Sequence, residues 1–208
     1  MNSDKFDRQK HWENIYQNKA IDEVSWYQTT PSTSLDLIKQ CNLPLNAKII
    51  DVGAGDSFLV DHLLDTGYEN ITVVDISAKA IERAKERLGD RAGNIKWIQA
   101  DISGFHLEET YDLWHDRAAF HFLTDDQEIR SYVQSVSTGI KAGGHLILGT
   151  FSESGPLKCS GIEIKQYSAH SMTERLKGAF EKINCINVDH QTPFDTVQNF
   201  IFCIFKRI

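Results

Sequence analysis

The stretch "KIIDVGAGDSFLVDHLL", Lys48 to Leu64, decides the fold. An apolar run ends at Asp51, turns through Gly53 and Gly55, and enters "SFLVDHLL", where Leu59, Val60, Leu63 and Leu64 recur at helical spacing. Glycines between a strand and a helix let the backbone turn tightly and approach a ligand closely, which is how nucleotide sites begin in parallel α/β sheets.

Working outward, the same alternation continues. "ITVVDI" reads as a second strand, and Ser77 caps "AKAIERAKERL", whose Ile81, Ala84 and Leu88 share one face. "IKWIQAD" and "YDLWHD" are the third and fourth strands. "TDDQ", Thr124 to Gln127, has the form of a capping box opening a helix that buries Ile129, Tyr132, Val133, Val136 and Ile140, and "KAGG" stops it. "HLILGTF" is the fifth strand, "SMTERL" a short helix, and "KINCINVD" and "QNFIFCIFKR" the last two strands. Only "HQTPFDTV" separates those two, too little for a parallel crossover, so they form an antiparallel hairpin. Before the first strand, "HWENIYQ" puts Trp12 and Tyr16 on one helical face and "EVSWYQTTP" is an aromatic loop.

Composition narrows the classes of function. A formal charge of -7 on 208 residues, with no cluster of Lys and Arg interleaved with aromatics, disfavours a nucleic-acid partner. The N-terminus has no apolar signal core and no run approaches a membrane span, so a cytoplasmic protein without membrane association is expected. The four cysteines, Cys41, Cys159, Cys185 and Cys203, show no CxxC spacing, so reduced thiols are expected, with neither a zinc site nor a disulfide framework. Oligomeric state is not legible.

Two carboxylates sharpen the nucleotide reading. Asp75 closes the second strand 20 residues after Gly55, where it can accept bonds from both hydroxyls of a ribose. Asp101, after the third strand, can accept the exocyclic amine of an adenine. Phe58 stands where a dinucleotide fingerprint wants a third small residue, which counts against NAD and points to an adenosine without a pyrophosphate.

In order and spacing, "DVGAGDS", "VVDIS", "QADIS" and "YDLWHDRAAFHFLTD" resemble the successive motifs of class I S-adenosylmethionine-dependent methyltransferases. The resemblance implies an α/β fold: a doubly wound, seven-stranded, mostly parallel Rossmann-like sheet ordered 3-2-1-4-5-7-6, with an antiparallel last strand. Residues 1–47 would be an N-terminal helical and aromatic flap, and residues 48–208 the cofactor-binding domain. It implies that Gly53 and Gly55 line the methionine part of S-adenosyl-L-methionine, Asp75 the ribose and Asp101 the adenine, with Asp51, Ala54, Ile76, Ile102 and His115 also at the cofactor. "HWENIYQ" and "SWYQ" resemble the cap of a subgroup that includes some protein-lysine methyltransferases. Tyr16, Trp26 and Tyr27 are then placed to close over the sulfonium, because an aromatic face attracts a cation while excluding water.

Ligands in such sheets lie outside the carboxyl ends of the strands, so the loops after strands four, five and six should surround the transferable methyl. They carry His115, Asp116, Arg117 and His121, then Cys159, then His190, with Gln198 at the same rim. Asp116, His121 and His190 are the candidate catalytic residues, each with an ordinary alternative as an ion-pair, pocket-shaping or turn-capping residue. No metal is expected. The expected reaction is methyl transfer to a small molecule or a protein side chain; the alternatives are a non-catalytic adenosine-binding module and a nicotinamide oxidoreductase.

Overall fold

The computed structural model describes residues 6–105 and 107–208; the first five residues of the expected flap lie outside them. The seven main strands are β1 (Lys48–Val52), β2 (Asn70–Asp75), β3 (Ile95–Gln99), β4 (Tyr111–Arg117), β5 (Ile140–Phe151), β6 (Phe180–Gln191) and β7 (Val197–Arg207). They lie in one sheet in the order β3-β2-β1-β4-β5-β7-β6. All pairings are parallel up to β5; β7 runs antiparallel to both β5 and β6. The expected doubly wound sheet and its terminal hairpin are therefore what the chain adopts. A second, two-stranded ribbon pairs Lys158–Cys159 with Ile162–Glu163.

Burial on both faces explains why the central strands read as near-continuous apolar runs. Adjacent residues point to opposite sides: Ile49, Val73, Leu113, Ile147 and Phe202 to one, Ile50, Val74, Trp114, Leu148 and Ile201 to the other. Helices α2 (Ser32–Gln40) and α3 (Leu59–Asp65) cover the first face with Leu37, Ile38, Leu59, Val60 and Leu63, and Leu88 of α4 (Ala78–Leu88) joins them. Helices α5 (Asp126–Gly139) and α6 (Ala169–Leu176) cover the second with Ile129, Tyr132, Val136, Met172 and Leu176.

Local chemistry sets the ends of these elements. Ser77 caps α4 as expected, accepting from the Ala80 N–H. In α5 the cap is Asp125 and not Thr124: the Asp125 carboxylate accepts from the N–H groups of Gln127 and Glu128, so the helix starts one residue later than the capping-box reading placed it. "KAGG" falls within β5, in the register shift that separates the Tyr111–Ile140 pair from the Leu113–His145 pair.

The cysteine reading is corrected. Register places Cys185 of β6 directly opposite Cys203 of β7, and their sulfurs form a disulfide. The pairing arises from hairpin register, which leaves no spacing motif to read; Cys41 and Cys159 stay free.

The N-terminal segment packs across the carboxyl ends of the strands. Helix α1 (Arg8–Asn18) is tied down by Glu13, which accepts from Ser77 Oγ at 2.6 Å and from the Lys79 N–H, and by Arg83, which donates to the carbonyls of Tyr16 and Lys19. No described helix is long and apolar enough to cross a membrane.

Candidate active site

A cavity runs along the carboxyl ends of β3, β2, β1 and β4 and on to β7, crossing the switch point where strand order reverses between β1 and β4. Its floor is built by the loops that leave these strands, and its roof by α1 and the loop carrying Trp26. Lining it are ten of the residues expected at the cofactor: Tyr16, Trp26, Asp51, Gly53, Ala54, Asp75, Ile76, Asp101, Ile102 and His115.

The glycine loop is tethered at both ends. The N–H groups of Gly53 and Ala54 donate to the Val74 carbonyl, and that of Gly55 donates to Asp75 Oδ2 at 2.7 Å. The loop amides are thus already satisfied, and what the glycines supply is space and backbone freedom. Both have positive φ, +64° and +59°. A Cβ on Gly53 would lie 2.3 Å from the Ala119 methyl, and one on Gly55 would lie 2.2 Å from the Tyr16 hydroxyl. The cradle is therefore approached from two sides, by the loop after β4 and by the flap.

Asp75 is 5% exposed. Its Oδ1 accepts from the Ser77 N–H at 2.8 Å, and burial outweighs its two backbone bonds, raising its pKa to about 6. A carboxylate has room for further donors, so the two hydroxyls of a ribose remain acceptable. Asp101 stands at the mouth, 40% exposed, with Oδ1 bonded to the Ser103 N–H and Oδ2 3.6 Å from Arg8, which also pairs with Glu128. Tyr16 is buried; loss of water and the charges of Asp75 and Asp56 hold its phenol in the neutral form.

Strand register brings Asp51 and His115 side by side. His115 Nδ1 lies 2.7 Å from Asp51 Oδ1 and Nε2 lies 2.9 Å from Ser34 Oγ, so the ring bridges the carboxylate and the hydroxyl. The other carboxylate oxygen, Asp51 Oδ2, is buried without a partner among the described residues. Ser34, from α2, was not legible as a site residue: no motif marks it, and only the packing of α2 brings it here.

The three candidate catalytic residues are not among those lining the cavity. Asp116 is fully buried and accepts from Tyr132 Oη at 2.7 Å and from the N–H groups of Ala119 and Phe120; burial nonetheless raises its pKa to about 6. His121 is sandwiched between Phe122 and Phe151 and accepts from the Phe151 N–H; burial, then the Arg117 charge, lower its pKa to about 3. His190 donates from Nε2 to the Ser25 carbonyl at 2.7 Å and faces Gln28 through Nδ1, so it fastens the flap loop to β6; burial lowers its pKa. Tyr27 also lies off the cavity, packed edge-on against Phe58. Arg117, Cys159 and Gln198 do line it, toward Phe200 of β7, and Trp12 joins Tyr16 and Trp26 in the roof.

Residues 49–144 match a methyltransferase-domain family. Among curated relatives, the eEF1A lysine and N-terminal methyltransferase of Mus musculus is 28% identical over 61% of this chain and 18% of its own length. The malonyl-[acyl-carrier protein] O-methyltransferase of Anoxybacillus flavithermus is 35% identical over 50% of this chain and 39% of its own. The chain thus spans well under half the length of either relative. Among solved structures, the N-methyltransferase NodS of Bradyrhizobium japonicum in complex with S-adenosyl-L-homocysteine superimposes with a TM-score of 0.71 at 20% identity, covering 97% of this chain and 99% of that one. An S-adenosylmethionine-dependent methyltransferase of Anabaena variabilis gives 0.76 at 14% identity, over 98% and 96%. Strand order, the glycine cradle with acidic residues closing β2 and following β3, and the match over residues 49–144 together support a class I S-adenosylmethionine-dependent methyltransferase.

Proposed function

We propose that the protein binds S-adenosylmethionine in this cavity and transfers its methyl group to a small molecule or to a protein side chain that reaches into the far end. The observation that carries the reading is the extent of the cavity. It passes from Asp101 and Asp75 over Gly53 and on to Arg117, Gln198 and Phe200.

The residues present fit the cofactor. Asp75 retains lone pairs for a ribose, and Asp101 stands where an adenine amine would donate. Asp51 Oδ2, buried and unpartnered, suits the α-ammonium of the amino-acid part, with His115 and Ser34 holding the carboxylate in orientation. Tyr16 and Trp26, with Trp12 behind them, present aromatic surface that excludes water and favours a sulfonium. When bound, S-adenosylmethionine supplies a methyl group open to in-line displacement, chemistry in which orientation accounts for much of the acceleration. Asp116, His121 and His190 are assigned to shaping the site: Asp116 holds the turn at Ala119 that abuts Gly53, and His190 holds the flap loop. The proposal therefore relies on positioning and water exclusion and on an acceptor that reaches the cavity with its lone pair available.

The test is incubation of the full chain with methyl-labelled cofactor and cell extract, separated into protein and small-molecule fractions, beside calorimetric titration with S-adenosylhomocysteine. Label accumulating in one fraction, dependent on the protein, supports the reading and selects the acceptor class. Tight S-adenosylhomocysteine binding with label in neither fraction would leave a non-catalytic binding module.

A further inference from the structure

At the far end of the cavity stands a cation that forms no ion pair among the described residues. Arg117 ends β4, and its guanidinium donates from Nη2 to the Trp26 carbonyl at 2.9 Å and lies over the Phe200 ring, 5.7 Å from its centroid. Guanidinium carries five N–H donors, and this is the one protein partner found among the described residues. No carboxylate lies within ion-pair distance of it there; of the acidic groups, Asp51 is the one whose charge reaches it, and Asp51 is bonded to His115. Arg117 is partly buried and lines the cavity, so its remaining N–H donors are open to a ligand there, and their natural complement is an anion.

A second polar group accompanies it. Gln198 of β7 lines the same cavity, and its Oε1 is buried with no partner among the described residues. Gln198 and Phe200 are two residues apart on one strand and so project from the same face, which puts the Gln198 side chain next to the Phe200 ring that the guanidinium covers. An amide can turn its N–H donors toward an anion as readily as its oxygen.

The direction of Arg117 separates the two ends of the cavity. Phe200 belongs to β7, which is two strands from β4 across β5, so the guanidinium extends away from β1 and β2, where Asp51 and Asp75 stand. Trp26, Phe151 and Phe200 give this end apolar walls. We propose that Arg117, together with Gln198, is the anchoring site for an anionic group of the methyl acceptor, a carboxylate on a mainly apolar body. This rests on the reading of the cavity as a pocket for S-adenosylmethionine and its acceptor. The planar fork of the guanidinium matches a carboxylate with two parallel bonds, which a lysine ammonium cannot reproduce. Because the cofactor also carries a carboxylate, the test has to tell the two sources apart.

The probe is benzoate, with benzamide as its uncharged isostere, titrated by ligand-observed NMR into the full chain saturated with S-adenosylhomocysteine. Benzoate is expected to bind about tenfold or more tightly than benzamide, and Arg117→Gln to abolish that preference while S-adenosylhomocysteine affinity stays within about twofold. Arg117→Lys should restore part of it. Gln198→Leu should weaken benzoate with Arg117 still in place, so the inference does not depend on one variant folding; thermal unfolding of each variant reports on that. Equal binding of the two probes to the loaded wild type, or a preference that survives in Arg117→Gln, would overturn the proposal. So would a loss of S-adenosylhomocysteine affinity of about tenfold in Arg117→Gln with 5′-methylthioadenosine, which lacks the amino-acid end, unaffected, because Arg117 would then serve the cofactor's carboxylate. Failure of the wild type to bind S-adenosylhomocysteine would instead strike the underlying cofactor reading, before benzoate is added.

Discussion

Cofactor affinity should fall as pH drops through about 6, and Asp75 is the reason. In the cofactor-free protein, burial raises its pKa from 3.8 to about 6 against the opposing bonds from Ser77 and Gly55. A ribose donates to the ionised carboxylate, so a proton competes with the ligand. With binding restricted to the ionised form, affinity is level above about pH 7 and falls about tenfold by pH 5, or ~1.4 kcal/mol. Folding linkage has the opposite sign in nearly the same window. A carboxyl whose folded pKa is raised contributes most below its unfolded value, and that contribution is lost as pH rises from about 4 to about 6. Asp116, also raised to about 6, adds to the second effect while lying off the cavity. The assay is calorimetry with S-adenosylhomocysteine and with 5′-methylthioadenosine between about pH 5 and pH 7.5. The second ligand keeps the ribose but lacks the ammonium, so an equal slope for both isolates Asp75 from Asp51. Asp75→Asn should weaken binding at neutral pH by roughly 1.5 to 3 kcal/mol and flatten the profile. A level profile in the folded wild type, or an unchanged slope in Asp75→Asn, would refute the assignment of Asp75 to the ribose.

Three further outcomes follow from local geometry. Gly55→Ala must adopt φ +59° and place a methyl 2.2 Å from the Tyr16 hydroxyl, so thermal stability should fall by about 1–2 kcal/mol and S-adenosylhomocysteine affinity with it; Gly67→Ala, at φ +93° beside Leu45, should lose stability alone. Tyr132→Phe removes the 2.7 Å donor to buried Asp116 and should cost about 2 kcal/mol in urea unfolding at neutral pH. That loss should shrink near pH 5, where Asp116 is protonated, and a loss independent of pH would assign the effect to packing. Reducing the Cys185–Cys203 disulfide, whose cysteines are 18 residues apart, should lower unfolding stability by up to about 3 kcal/mol with S-adenosylhomocysteine affinity unchanged, as calorimetry before and after reduction would show.

What the sequence determined by itself was whatever short-range chemistry controls. Lys48–Leu64 contains its own strand, turn and helix because apolar periodicity and glycine freedom act within a few residues. The positions of Asp75 and Asp101 were legible because one closes a strand and the other follows one, each end marked by the same pattern. Topology then told which loops gather at the carboxyl ends, but not which way their side chains turn. Asp116 stands at the end of β4 as expected, yet the Ala119 and Phe120 amides and the Tyr132 hydroxyl draw it inward, and the tyrosine comes from a helix that only packing brings near. The chain Ser34–His115–Asp51, the clasp of Glu13 on Ser77, and the Cys185–Cys203 pair join residues 81, 64 and 18 positions apart, and no local signal records such meetings. Arg117 illustrates the difference most directly. Its sequence neighbours Asp116 and His115 suggest a paired charge, but the fold commits Asp116 to backbone amides and Tyr132 and turns the guanidinium toward Phe200, so that it has no carboxylate partner among the described residues is decided only in three dimensions.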